Sequence, residues 1–371
     1  MSDKNISVIG IGRIGLCFSL VLEKAGYNVS GVDIVEDYVE KINSKTLDSF
    51  EPNVNEYLKV SKNFKATINL KETIDFANTI FVMLRTETLS NGKYDHRYVE
   101  KFLKDLIKIG KQETLKDLII SSNVCPGYSD EIQGRLKDLN YIVSFNPEWI
   151  AQGKIIYDYE NPEIVVIGEG NKKSGDKIEH IYINMCKNCP KTYRMNRISA
   201  EIVKISLNSF LASKIAYANM VGDMAIESGV DPEPILEAMG GDSRVGDKYL
   251  KYGYGYGGPC LVRDTSAFTY YSDKLGLKYN MVKSVIDAND NHLNFQVENF
   301  IKNNGKLTPV NIKSVTYKRD TIIIEGSQQL LFAIKLAKAG YKITIEDYPE
   351  VIKQVKDKYG NLFSYIKKGR N

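Results

Sequence analysis

Asn5-Ile6-Ser7-Val8-Ile9-Gly10-Ile11-Gly12-Arg13-Ile14-Gly15 stands at the start of the chain, and the pattern running on from it to Asp33 sets the architecture of the N-terminal part. A short apolar strand runs directly into a glycine turn. An apolar helical pattern then continues to Ala25-Gly26, and a second strand, Asn28-Val29-Ser30-Gly31-Val32-Asp33, ends on an acid. Strand, glycine turn, helix, strand and terminal acid make up a dinucleotide-binding unit. Gly10 allows the tight turn, Gly12 lets backbone amides approach a pyrophosphate, and Gly15 lets the helix pack closely with its N-terminus toward that charge. With Ile14, these three glycines are the candidate cofactor contacts of the turn. Asp33 is suited to accept both ribose hydroxyls and to repel a 2'-phosphate, so NAD is expected in preference to NADP.

Beyond Asp33 the alternation of strand and helix continues. Residues 79–84, 118–122, 141–144 and 164–168 read as apolar strands and residues 98–109 as a helix, which predicts a doubly wound parallel sheet over about the first 190 residues. Residues 196–230 differ in kind: they form a long proline-free helical stretch opened by Asn196 or Ser199 as a cap. Lys204 and Asn208 lie one turn apart on it and share a face. On spacing alone that pair also fits an exposed lysine above an asparagine. Leu207, Leu211, Ile215 and Val221 form an apolar face that either meets a second copy or completes an internal core. In the final third, strands at 310–315 and 342–346 flank a helix at 326–339, leaving room for a small unit of two or three strands.

The chain has 371 residues, enough for two or three domains. Its formal charge of +4 comes from Lys, Arg, Asp and Glu mixed along the whole length. No basic stripe with interleaved aromatics appears, which argues against nucleic-acid binding, while a modest basic surplus can attract an anionic small substrate. Nothing at the start reads as a secretion signal and no apolar run is long enough for a bilayer, so a cytoplasmic protein without membrane contact is expected. The five cysteines, Cys17, Cys125, Cys186, Cys189 and Cys260, are too scattered for a disulfide framework. Cys186 and Cys189 lack the second pair or nearby histidines that zinc needs, so they read as surface or helix-end thiols and no metal is expected. With the histidines far apart, base chemistry falls to Lys, Asp or Glu.

One cysteine is different. Gly253-Tyr254-Gly255-Tyr256-Gly257-Gly258-Pro259-Cys260-Leu261-Val262-Arg263-Asp264 places Cys260 behind a flexible glycine run and four residues before an acid, a setting suited to a nucleophile. For Asp264 the plain alternative is a helix cap or an ion-pair partner.

Together these elements resemble the UDP-glucose/GDP-mannose dehydrogenase family, particularly its short bacterial UDP-glucose 6-dehydrogenases. Members typically carry Gly-x-Gly-Tyr-Val-Gly at the start, Asn-Pro-Glu-Phe-Leu after the fifth strand, Lys-x-x-x-Asn on a long helix, and Phe-Gly-Gly-x-Cys-Leu-Pro-Lys-Asp at the nucleophile. The counterparts here are Gly10 to Gly15, Asn146-Pro147-Glu148-Trp149, Lys204 with Asn208, and Tyr256 to Asp264. The resemblance implies an α/β fold with a Rossmann-type NAD domain over 1–195, a central helical dimerisation and cysteine region over 196–300, and a short UDP-sugar-binding α/β domain over 301–371. It implies oxidation of the C6 alcohol of UDP-glucose to UDP-glucuronate with two NAD, through a thiohemiacetal and a thioester on Cys260, serving polysaccharide synthesis. Lys204 would stabilise oxyanions. Asn208 and Asp264 would position or activate water, Asp264 as base. Glu148 would handle substrate or protons, and Asn123, in place of a threonine, would keep a hydrogen bond to water.

The same resemblance assigns Thr86 to the cofactor, and Arg263, replacing a lysine, to a phosphate. It gives Lys214, Arg244, Tyr249, Gly257 and Lys318 to the nucleotide sugar, with Arg244 often contributed across a homodimer. Several motifs depart from the pattern. Val-Pro-Thr-Pro is Leu84-Arg85-Thr86-Glu87, Pro-Asp-Arg is Pro162-Glu163-Ile164, and the C-terminal Phe-Lys-x-x-Thr-Asp-Asp-x-Arg-x-Ser-Pro is rewritten from Tyr317-Lys318-Arg319-Asp320 to Gln328, with Glu325 where the arginine stands. Another nucleotide sugar such as UDP-N-acetylmannosamine, or a non-catalytic binding role, is the alternative these changes raise.

Overall fold

The apolar run before the glycine turn forms β1 (Asn5–Ile9), and the helix Arg13–Lys24 returns the chain to β2 (Asn28–Val32) beside it. The structure is a computed structural model that describes residues 4–278, 280–319 and 321–369; Asp320 of the altered C-terminal motif lies outside the described residues. Further strands are β3 (Phe64–Thr67), β4 (Thr79–Val82), a small hairpin of β5 (Glu87–Thr88) and β6 (Tyr94–Asp95), β7 (Lys116–Ile120), β8 (Tyr141–Phe145), β9 (Ile164–Gly168) and β10 (Lys191–Met195). Eight of them make one sheet in the order β10-β9-β8-β7-β4-β1-β2-β3. β4, β7 and β8 are buried along nearly their whole length, as strands covered on both faces must be.

The N-terminal doubly wound α/β unit is thus present, with one departure from a wholly parallel sheet. β9 meets β8 antiparallel, at Phe145 and Gly168, and β10 runs parallel to β9. Between β8 and β9 the chain forms the six-residue helix Ile155–Glu160, which packs on Arg13–Lys24 instead of carrying the chain back along the sheet. The next strand therefore enters from the opposite end.

The contacts divide the chain into two compact units, the first ending at Lys204 and the second beginning at Ile205. The boundary falls inside one continuous 31-residue helix, Arg197–Glu227. In the second unit the helices Pro232–Gly240, Gly258–Lys274 and Met281–Asn303 are followed by a parallel sheet of β11 (Val310–Lys313), β12 (Ile343–Asp347) and β13 (Ser364–Lys367). Its core joins Leu293, Val297, Ile312, Leu336, Ile345 and Val355. The expected small C-terminal α/β unit thus has three strands.

On the long helix, Ile215 packs with Ala212, Ala216 and Tyr256, and Val221 with Ala218, Leu236 and Leu250, so these two residues complete local cores. The large apolar side chains the helix leaves exposed in the second unit are Phe210, Tyr217, Met220 and Met224.

Candidate active site

In the first unit the candidate cofactor residues stand at the carboxyl ends of parallel strands, where open α/β sheets bind ligands. Gly10 has a φ of +89°, and a Cβ there would come within 2.9 Å of the Met83 carbonyl oxygen. A Cβ on Gly15 would sit 2.0 Å from the Gly10 carbonyl oxygen, which is why the helix can start so close to β1 only with glycine there. Gly12, by contrast, has nothing within 4 Å of its missing Cβ. The turn is closed on the protein side and open above the helix N-terminus, as a diphosphate requires. Ile14 is exposed beside it. Asp33 lies just past β2, where its Oδ1 accepts the Val35 N–H at 3.2 Å.

Two neighbouring loops are fastened together. Thr86 Oγ1 donates to the Asn123 carbonyl oxygen at 2.9 Å, and Ser122 Oγ accepts the Leu84 N–H at 2.8 Å. The segment after Asn123 is held by two buried residues that motif reading passed over. His96 Nε2 accepts the Cys125 N–H at 3.2 Å, and burial pushes this imidazole down to about 4, which keeps the ring neutral and able to accept. Glu201 accepts the Gly127 and Ser129 N–H groups at 2.6 and 2.9 Å, capping the helix Tyr128–Leu136 from outside, and burial pushes its carboxyl up to about 7. Its place three residues before Lys204 is the only sequence signal it gives.

Glu148 and Lys204 come together in the first unit. Lys204 is buried; its Nζ donates to the Glu148 carbonyl oxygen at 2.7 Å and lies 4.6 Å above the Trp149 ring. The reading of Lys204 as an exposed lysine over an asparagine is therefore wrong. The Glu148 carboxyl lines a small cavity with Pro147, Trp149, Tyr159, Pro162 and Tyr182, and its Oε1 is closed off from solvent. Burial pushes this carboxyl up to about 8, against the lowering pull of Tyr159 and Lys204. A carboxyl that holds its proton at neutral pH beside a fixed ammonium is equipped to give or take a proton.

Cys260 and its neighbours lie in the second unit. Gly257 caps the helix Gly258–Lys274, so Cys260 stands exposed in its first turn. Asp264 follows one turn later, fully buried. Its Oδ2 accepts a hydrogen bond from Asn208 Nδ2 at 2.5 Å, and its Oδ1 lies 3.2 Å from Arg263 Nε. Asp264 is thus an ion-pair partner as well as a neighbour of Asn208, and Arg263 is drawn onto it. The glycine run packs against the altered C-terminal motif: a Cβ on Gly257 would be 2.1 Å from the Gly326 carbonyl oxygen, and one on Gly258, at φ +78°, would be 2.2 Å from the Tyr317 ring. Glu325 is exposed next to that contact.

The remaining candidates scatter. Lys318 Nζ lies 6.0 Å from the centre of the Tyr317 ring, on the same motif. Lys214 Nζ donates to the carbonyl oxygens of Val245 and Gly246 at 3.0 and 3.3 Å. Arg244 is exposed and pairs with Asp242 at 2.6 Å, and Tyr249 is half exposed at a φ of +65°. Cys186 and Cys189 are, as read, a helix-end and a surface thiol.

Residues 4–186 match the model of the UDP-glucose/GDP-mannose dehydrogenase family, NAD binding domain, and residues 198–291 that of the same family's central domain. The chain belongs to this family. It is an NAD-dependent oxidoreductase of nucleotide sugars. It is similar to UDP-glucose 6-dehydrogenase YwqF of Bacillus subtilis, at 27% identity over 92% of this chain and 79% of that protein. It is similar also to GDP-mannose 6-dehydrogenase of Pseudomonas aeruginosa, at 25% identity over 92% of this chain and 80% of that protein. A solved UDP-glucose dehydrogenase from Pyrobaculum islandicum superposes with a TM-score of 0.89 and 26% identity, covering 98% of this chain and 86% of that one. Among the described residues, no helix of this family member is long and apolar enough to cross a membrane.

Proposed function

We propose that the chain oxidises the C6 alcohol of UDP-glucose twice, to UDP-glucuronate, with Cys260 as the covalent nucleophile. The observation that carries this reading is Cys260 standing exposed in the first turn of its helix, with buried Asp264 one turn behind it and bonded to half-buried Asn208. Bound NAD, for which the open turn at Gly12 and the acid after β2 are fitted, supplies the hydride acceptor.

The protein's own groups do the rest. In the first oxidation the alcohol passes its proton to water held by Asn208 and Asp264, and Lys204 steadies the alkoxide and later oxyanions. The Cys260 thiolate adds to the aldehyde carbon, forming a C–S bond and a thiohemiacetal. After the second two-electron oxidation that carbon is a thioester. Water then adds to the carbonyl with Asn208 and Asp264 positioning it and Asp264 taking its proton, and the C–S bond breaks to free the thiolate and a carboxylate. Glu148, protonated below about 8, handles a proton in the same sequence. Asn123 and Thr86, joined by their hydrogen bond, hold water and cofactor, while Arg263, Lys214, Arg244, Tyr249, Gly257 and Lys318 receive the nucleotide sugar and its phosphates.

The test is NADH absorbance with a panel of UDP-, GDP- and dTDP-sugars. Two NADH per UDP-glucose with carboxylate as product is the expected result. Preference for a different sugar would reassign the substrate, a change the exposed Glu325 beside Gly326 favours, since it stands where an arginine would meet a diphosphate. Binding of sugar without absorbance change would make the chain a non-catalytic binder.

We also assign the partner as a second copy of the chain, meeting it across Phe210, Tyr217, Met220 and Met224, since an exposed apolar stripe on a helix this long favours a self-complementary contact. Sedimentation should give a homodimer, and Phe210→Glu should give monomer. A wild-type chain that sediments as a monomer at working concentrations excludes it.

A further inference from the structure

The glycine turn carries a charge that the oxidation chemistry leaves unused. Arg13 is the first residue of the helix Arg13–Lys24, directly after Gly12, at the place where the resembled motif has tyrosine. Its Nη1 donates to Gln152 Oε1 at 2.6 Å. Gln152 lies in the segment that leads from Glu148 and Trp149 to the helix Ile155–Glu160. The rest of that segment is anchored from elsewhere in the unit: buried Glu51 accepts the Gly153 and Ile155 N–H groups at 3.0 and 2.8 Å, and Asp158 accepts the Ala151 N–H at 2.8 Å. Gln152 thus ties this segment to the cofactor turn. The Arg13 charge pulls against the burial that raises the Cys17 thiol, one turn along the helix, and the Tyr38 hydroxyl.

A guanidinium offers five N–H donors in a planar fork that matches paired phosphate oxygens, and one bond to Gln152 leaves the fork available to an anion over Gly12. We propose that Arg13 is a diphosphate clamp, pairing with the cofactor's diphosphate while it holds Gln152, so that cofactor binding fixes the segment that follows Glu148. This rests on the NAD reading and adds to it a residue that couples the two ligands. A tyrosine at this position has no charge to offer and could not make the pair.

The experiment uses ADP-ribose, which carries the diphosphate, and adenosine, which lacks it. Their binding to wild type, Arg13→Ala, Arg13→Lys and Gln152→Ala is measured by calorimetry and ligand-observed NMR, with amide exchange followed over residues 149–154. Losing a charge-assisted bond to phosphate is expected to weaken ADP-ribose about 10- to 100-fold in Arg13→Ala. Adenosine should bind as before, and Arg13→Lys should recover part of the loss. Gln152→Ala should keep ADP-ribose affinity and lose the exchange protection that ADP-ribose confers on residues 149–154. ADP-ribose bound equally by wild type and Arg13→Ala, or an equal loss for adenosine, overturns the clamp while leaving NAD binding intact. Failure of wild type to bind ADP-ribose removes the NAD reading itself, and the clamp with it.

Discussion

Cys260→Ala is expected to lower carboxylate formation by about three orders of magnitude or more, while NAD affinity stays at the wild-type level. In the proposed scheme the nucleophile converts an aldehyde into a species that can lose a second hydride and then be hydrolysed. Without sulfur that route is closed, and NADH released per sugar should fall from two toward one. The substitution itself is mild for the fold, because Cys260 is exposed at a helix start and its thiol contributes no core packing. A loss of activity therefore reports on chemistry. Stopped-flow absorbance of NADH with mass analysis of the product checks it, and carboxylate produced at the wild-type rate by the alanine variant would remove the covalent scheme.

Glu148→Gln is expected to raise thermal stability at alkaline pH by several degrees and to leave it nearly unchanged at pH 4. Burial lifts the folded carboxyl from its ordinary 4.5 to about 8. The folded chain then holds a proton that the unfolded chain releases, so stability is at its fullest below pH 4.5 and declines as pH rises toward 8. Each unit of such a shift corresponds to about 1.4 kcal/mol, and an interval this wide is worth a few kcal/mol. Glutamine has nearly the same shape and no proton to hold, so it removes this contribution to the pH dependence. Scanning calorimetry of both proteins from pH 4 to 9 measures the difference. Parallel melting curves across the range would mean that the carboxyl is solvated and ionised in the folded protein, and the proton-handling role of Glu148 would go with it.

Both expectations join residues that were legible in the sequence to environments that were not. Cys260 drew attention because glycines and an acid flank it within one short run. Glu148 drew attention only through the resemblance of Asn146-Pro147-Glu148, and nothing local foretold its closure by Tyr159, Pro162 and Tyr182, which lie farther along the chain. Asp264 shows the same limit. Its position was plain, and so was its neighbour Arg263, but its complete burial and its bond to Asn208 depend on a helix more than fifty positions away. Glu201, His96 and the Arg13–Gln152 contact escaped motif reading because each is a polar side chain reaching a distant loop, and a single sequence carries no signal for such pairs.

The glycine turn with its two strands and acid, the long helix and the small terminal α/β unit could all be read from the chain alone, because each is written in spacing over a few neighbouring residues. The reversal of β9 against β8, the enclosure of Glu148 near Lys204, and the identity of the apolar residues left exposed on the long helix emerged only once the chain was folded. Burial and strand direction depend on which distant segments pack together. Desolvation, which sets the chemistry of a carboxyl, begins only when they do.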